Sequence, residues 1–195
     1  MIRNRAFWRK IIVYIIYCIS CGLLQVTLPD TLSVLGGRPD LTLILAVLAG
    51  YMFGAADGFA IGLAAGLMRD LLAGRTLGLG MLLLMYAGLG ASVLLRRFFR
   101  RNMLFGVIQV VIFTVIYTVM IVIITYLIPL QSETVYSFAR LAEQTLTRLP
   151  GQIIINAIAA VPLILLLAFL GPYRRSKRGD DPDDGIVGDS LWRVA

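Results

Sequence analysis

The chain has 195 residues, 59% hydrophobic and only 15% charged, with a formal net charge of +7 and a mean hydropathy of +0.87. A soluble domain carries roughly a quarter charged residues, so this composition describes an integral membrane protein whose spans leave no room for a separate soluble domain. No histidine occurs, which excludes imidazole metal ligands and Ser-His catalysis, and the positive residues sit in short clusters beside apolar segments, a pattern that suits lipid headgroups rather than nucleic acid.

The first apolar segment, residues 11–28, follows Arg3, Arg5, Arg9 and Lys10. Basic residues before an apolar run resemble a secretory leader, but "QVTLPDTL" offers no small-residue cleavage site, so the segment reads as a mature first span. Cys18 and Cys21 have CxxC spacing without a thioredoxin-like context. They read as small apolar side chains on one helix surface.

Five more apolar segments follow, at 41–53, 58–72, 77–95, 103–130 and 153–170. A spanning helix needs about 20 residues, so the second and third could instead merge into one. Charge decides between these readings. Cytoplasmic loops are enriched in Lys and Arg, and six spans put all three basic clusters on one side: the N-terminal one, Arg96/Arg97/Arg100/Arg101 and Arg174/Arg175/Lys177/Arg178. Merging would throw the middle cluster across the membrane. The expectation is an all-α polytopic protein of six transmembrane helices with both termini cytoplasmic. Outside lie Arg38, Arg69, Arg75, Arg140 and Arg148, balanced by Asp30, Asp40, Asp70, Glu133 and Glu143.

In "GYMFGAADGFAIGLAAG", Gly50, Gly54, Gly58, Gly62 and Gly66 recur every fourth residue. A tight cytoplasmic turn over 54–57 would let Asp57 cap the third helix, where free amides and the helix dipole stabilise a carboxylate. The stripe then divides, with Gly50 on the second helix, Gly54 in the turn, and Gly58, Gly62 and Gly66 on the third. Small residues at this spacing let helix backbones approach closely in lipid. Two readings stay open: packing within this hairpin and its neighbours, or docking of another protein's transmembrane helix.

"RDLLAGRTLGLG" places Arg69 and Asp70 near the outer interface, with Gly74 and Gly78 turning the chain into the fourth span. Asp57 and Asp70 are 13 residues apart, roughly 20 Å along a helix, so they cannot share a proton as a catalytic pair. Arg69 and Asp70 are expected to satisfy each other, adjacent backbone or headgroups, or to contact a partner. No zinc, iron-sulfur, Walker or dinucleotide signature appears, and no cofactor is expected.

Beyond the fifth span, Val135, Phe138, Ala142, Leu146 and Leu149 recur at helical spacing. They predict an external amphipathic helix over about 133–149 in the outer headgroup layer, its apolar face on lipid or on an extracytoplasmic partner. In "LPGQIIINAIAAVP", Asn156 needs a hydrogen-bond partner within the last span, and Pro162 frees a carbonyl one turn earlier, which predicts a kink stabilised by that amide. The chain thus divides into a six-helix transmembrane domain, 1–173, and a basic then acidic tail, 174–195, that cannot bury a core and is expected to be disordered in the cytoplasm.

The block "RPDLTLILAVLAGYMFGAADGFAIGLAAGLMRDLLAGRTLGLGMLLLMYAGLGASVLLRR" has Pro39-Asp40 opening the second span, Asp70-Leu71 then Gly74, and Leu77-Gly78 entering the fourth. With the late Pro150, Asn156 and Pro162, it resembles the rod shape-determining protein MreD family over residues 11 to about 173. The resemblance implies a non-enzymatic subunit of the machinery that builds lateral peptidoglycan during cell elongation, in the bacterial cytoplasmic membrane. It implies association with the bitopic protein MreC, and through it with the actin-like MreB, the glycosyltransferase RodA and a class B penicillin-binding protein. The family is also similar in fold to the substrate-binding subunits of energy-coupling-factor vitamin transporters, which supplies a rival function. A vitamin binder needs polar groups converging in one cavity. Asn156, Gln109 and Ser92 form no obvious constellation, so a scaffold is expected, with the Gly58/Gly62/Gly66 stripe and the outer helix presenting its partner surface.

Overall fold

A computed structural model describes residues 2–29, 32–73, 78–94, 102–127 and 138–172. These hold six helices: α1 (Ile2–Thr27), α2 (Leu41–Phe53), α3 (Ala55–Ala73), α4 (Leu79–Leu94), α5 (Met103–Leu127) and α6 (Phe138–Leu170). Backbone polar groups in an apolar medium must be satisfied within their own segment, which favours the helix for every long apolar run. Among the described residues there is no strand; Val34 and Gly37 form a lone antiparallel bridge in the α1–α2 connection.

α2 is the axis of the bundle. It has no charged residue, is buried from Thr42 through Met52, and touches all five other helices, as suits a helix apolar all round. The others surround it in the order α1, α3, α4, α5, α6, each packed on the next. The ring closes where the Tyr17 hydroxyl donates to the Leu166 carbonyl at 2.9 Å and Arg9 Nη2 to that of Gly171 at 3.3 Å. Leu, Ile and Phe cover the outside, including Ile16, Leu104, Ile158 and Phe169, while Ser92, Gln109, Thr114 and Asn156 are buried inside. Three helices, α1, α5 and α6, are long and apolar enough to cross a membrane, and α2 and α4 are shorter. This is a helical membrane protein.

The tightest seam joins α3 to α4. A Cβ on Gly58 would lie 2.6 Å from the Gly50 Cα and 2.8 Å from the Gly88 carbonyl carbon; one on Gly62 would lie 2.8 Å from the Met85 Cα, and one on Gly66 2.8 Å from the Met81 amide nitrogen. The glycine stripe therefore faces α4 backbone, and no helix of another protein has room there. Gly88 is the reciprocal residue on α4, and Gly50, Gly58 and Gly88 bring three helices to one point.

The connection after α2 is shorter than the four-residue turn expected at 54–57. Gly54 alone links α2 to α3, at φ +108°, a region open to glycine. α3 consequently begins two residues before Asp57, which lies inside its first turn rather than at the cap. Its carboxylate pairs with Lys10 Nζ at 2.5 Å and remains favoured by the dipole of that helix end.

A second correction concerns α6. The separate surface helix at 133–149 and the span from 153 are one continuous helix from Phe138, with Pro150 and Pro162 both inside it. A proline removes one intrahelical hydrogen bond, and the good helix formers before Pro150 and the apolar run after it carry the helix through. On the predicted apolar face Leu146 is 66% exposed, whereas Ala142 and Leu149 are half-buried. Val135, the Phe138 side chain, Gly74 and the tail lie outside the described residues and side chains.

Because α3 and α4 meet backbone to backbone, Gly58→Ala is expected to cost about 2 kcal/mol, within the range for overpacking. Gly90→Ala would meet only the Phe113 ring edge, at 3.0 Å, and should cost under about 1 kcal/mol because a ring can tilt. Thermal unfolding midpoints of both variants in one detergent check the order.

Candidate functional site

The N-terminal end of α2 begins inside the bundle, where its unsatisfied amides cannot turn to water. Asp40 is its cap. One carboxylate oxygen, Oδ1, accepts from the Leu43 amide at 3.1 Å and the Thr42 hydroxyl at 2.8 Å. The other, Oδ2, accepts from Arg69 Nη1 at 2.7 Å. The Asp40 amide donates to Asn156 Oδ1 at 2.8 Å, and Asn156 Nδ2 donates to the Thr114 hydroxyl at 3.0 Å. Gln25 clamps the same turn from α1, donating from Nε2 to the Pro39 carbonyl at 2.8 Å and accepting from the Leu41 amide at 2.7 Å.

Arg69 is held on a second side, its guanidinium lying 5.0 Å from the centre of the Tyr117 ring. Asp70 points the other way: its Oδ2 accepts from the amides of Gly78 at 2.9 Å and Met81 at 3.2 Å, capping α4. Gly78, at φ +113°, makes the approach to α4 that delivers its amide. All six helices are thus tied around the N-terminal end of α2, through Gln25, Asp40, Arg69 with Asp70, Met81, Thr114 with Tyr117, and Asn156.

The pairing expected between Arg69 and Asp70 and the role expected of Asn156 change here, whereas Asp70 on backbone and the scatter of Gln109 and Ser92 are as the sequence suggested. Arg69 and Asp70 do not pair; Arg69 takes Asp40, and Asp70 takes backbone. Asn156 does not serve the carbonyl freed by Pro162; both ends of its amide reach across to α2 and α5. Gln109 and Ser92 donate to the Ala91 and Leu89 carbonyls on α4 and join no constellation with Asn156. Gln25, Thr114 and Tyr117 carried no readable signal, because a lone Thr in an apolar helix commonly bonds its own preceding turn, as Thr114 also does to Val110 at 2.8 Å.

Polar groups nevertheless converge. α2 has 13 residues and α5 has 25, about 20 and 38 Å at 1.5 Å per residue, so the ring outruns its axis and leaves a vestibule over the N-terminus of α2. The vestibule measures about 510 Å³, and its wall includes Gln25, Arg38, Arg69, Asp70 and Tyr117 beside apolar Leu83 and Ile121. On the α6 side, the tight turn at Leu35 and Gly36 packs on Gly151: a Cβ on Gly37 would lie 2.8 Å from the Gln152 Cα. At the opposite end of the bundle, the Tyr51 hydroxyl meets the Asn102 backbone at 3.0 Å. Among the described residues no three Cys, Asp or Glu side chains gather as a metal site, and Cys18 and Cys21 are buried free thiols.

Asp40→Asn keeps a capping oxygen but leaves Arg69 without its counter-charge. The expected loss is about 2–3 kcal/mol, below the range for a fully buried pair because the Arg69 side chain is 27% exposed. Adding Arg69→Gln should restore part of it, since contacting residues couple. Thermal unfolding of the two singles and the double in detergent measures that coupling.

No curated protein and no solved structure matches the chain. A family model does match, that of rod shape-determining protein MreD, over residues 5–172. That stretch contains the α2 cap, its Arg69 counter-ion, the glycine seam and the vestibule wall. The chain therefore belongs to the MreD family of rod shape-determining proteins.

Proposed function

We propose that this protein is a non-enzymatic scaffold of the cell-elongation machinery, crossing the bacterial cytoplasmic membrane six times with both termini in the cytoplasm. It binds an MreC-like bitopic protein and, through it, MreB, RodA and a class B penicillin-binding protein. The observation that carries this reading is the family match through residues 5–172. The use of the interior polar groups supports it, since Asp40, Arg69 and Asn156 are engaged in holding helices together. Nothing in the comparisons favours the vitamin-transporter alternative.

The six-crossing topology rests on the three basic clusters and is compatible with the short α2, which is enclosed by other helices and need not match the bilayer thickness. In that orientation the vestibule and the start of α6 face outward. α6 has 33 residues, about 50 Å against a hydrocarbon core of about 30 Å. Its first turns, carrying Glu143, Gln144, Leu146 and Arg148, would stand in or beyond the outer headgroups and meet the partner's stalk. The glycine seam is occupied by α4, so the partner's single span is assigned to the lipid-facing helices.

A photocrosslinking residue at Leu146, in living cells, should capture the bitopic partner, whereas one at Val93, 70% exposed at the opposite end of the bundle, should not. Deleting the gene should round the cells, and the wild-type gene should restore rods. Cells that stay cylindrical with no second copy overturn the scaffold reading; capture from Val93 but not Leu146 overturns the assignment to α6.

A further inference from the structure

We propose that the vestibule over α2 is a binding site for a phosphate group carried on an apolar body, as in the headgroup of an anionic phospholipid. The cavity, about 510 Å³, lies within the usual range for ligand pockets. It is not sealed: Arg38 and Val26 on its wall are exposed, and Arg69 keeps 27% of its side-chain surface although Asp40 beside it keeps 5%.

The charge on this wall favours an anion. Arg38, Arg69 and Asp70 line it, and Asp40 stands behind Arg69, so the formal charges of the four cancel. Both carboxylates, however, are already engaged by donors. Asp40 accepts from Leu43, Thr42 and Arg69, and Asp70 from Gly78 and Met81. A guanidinium has five N–H donors, and among the described residues only Asp40 accepts from Arg69. The amino end of α4 also reaches the wall, through Leu79 with Gly80, adding about half a positive charge. The balance is positive, and the Arg69 donors not taken by Asp40 are of the kind that grips phosphate oxygens.

The rest of the wall selects the body attached to that phosphate. Val26, Leu72, Leu79, Leu83 and Ile121 offer apolar surface next to the arginines, where an acyl chain would lie and a fully hydrated ion would gain nothing. This inference does not depend on which protein the scaffold holds.

Native mass spectrometry of the full chain in detergent, titrated with dioleoyl phosphatidylglycerol, dioleoyl phosphatidylcholine or inorganic phosphate, tests it. One phosphatidylglycerol per chain is expected, bound about tenfold more tightly than phosphatidylcholine, the ratio for one extra charge-assisted contact. Arg38→Gln should lower that affinity about tenfold, and Ile121→Trp, which fills the apolar wall and leaves the charges in place, should abolish it. The unfolding midpoint of each variant, taken on the same samples, identifies any that fails to fold, and the surviving variant then decides. Inorganic phosphate that competes with the lipid and loses binding in Arg38→Gln supports the anion site but overturns the apolar body, assigning the site a soluble source. Equal binding of the two lipids, or binding untouched by the folded variants, overturns the proposal.

Discussion

The Asp40 carboxylate stands where a helix that touches no lipid has to begin. α2 starts inside a ring of other helices, so its first amides, the charge of Arg69 and the approach from α1 must all be satisfied within a few ångströms. One side chain does most of this, accepting from Leu43, Thr42 and Arg69, while its own amide is taken by Asn156. Remove that cluster and the axis of the bundle has no way to end in an apolar medium without stranding donors, whose exposure there costs several kcal/mol each. The vestibule follows from the same constraint, because an axis that ends early leaves space above it.

Away from this cluster, cohesion comes from shape. Lipid chains are as apolar as leucine, so burying leucine gives helices little reason to associate, and close van der Waals contact takes over. The sorting of residues reflects this: large aliphatic side chains face out, and the α2–α3–α4 core is built on Gly50, Gly58, Gly62, Gly66 and Gly88, where a methyl group would collide with backbone. A soluble bundle would show the reverse distribution of bulk.

Much of the secondary structure was legible in the sequence for a simple reason. Runs of apolar residues long enough to be helices are rarely anything else in a membrane, and α2 was read with the bounds it has. Boundaries failed where glycine or proline behaved unlike its usual role: Gly54 reverses the chain alone, and Pro150 lies within a helix instead of starting one. The polar cluster was half legible. Asp40, Arg69, Asp70 and Asn156 each stood out as polar residues in apolar surroundings, but their partners lie 29 residues away for Arg69 and 116 for Asn156, distances over which local periodicity carries no information. Gln25 was missed because it is ordinary near a helix end at a membrane interface, and Tyr117 because an aromatic ring within an apolar helix reads as packing.

The separation between Asp40 and Asn156 bears on how this chain is made. Synthesis proceeds from the N-terminus, so α2 emerges long before α5 and α6 exist. Until the final helix is added, the Asp40 amide has no Asn156 oxygen to accept its hydrogen bond and one flank of the central helix stays uncovered. The nascent protein therefore waits, partly assembled, for its last segment, and a ribosome that stops early releases an incomplete ring with polar atoms facing hydrocarbon. Biogenesis of this fold finishes at its C-terminal end, although its structural axis is made near the beginning.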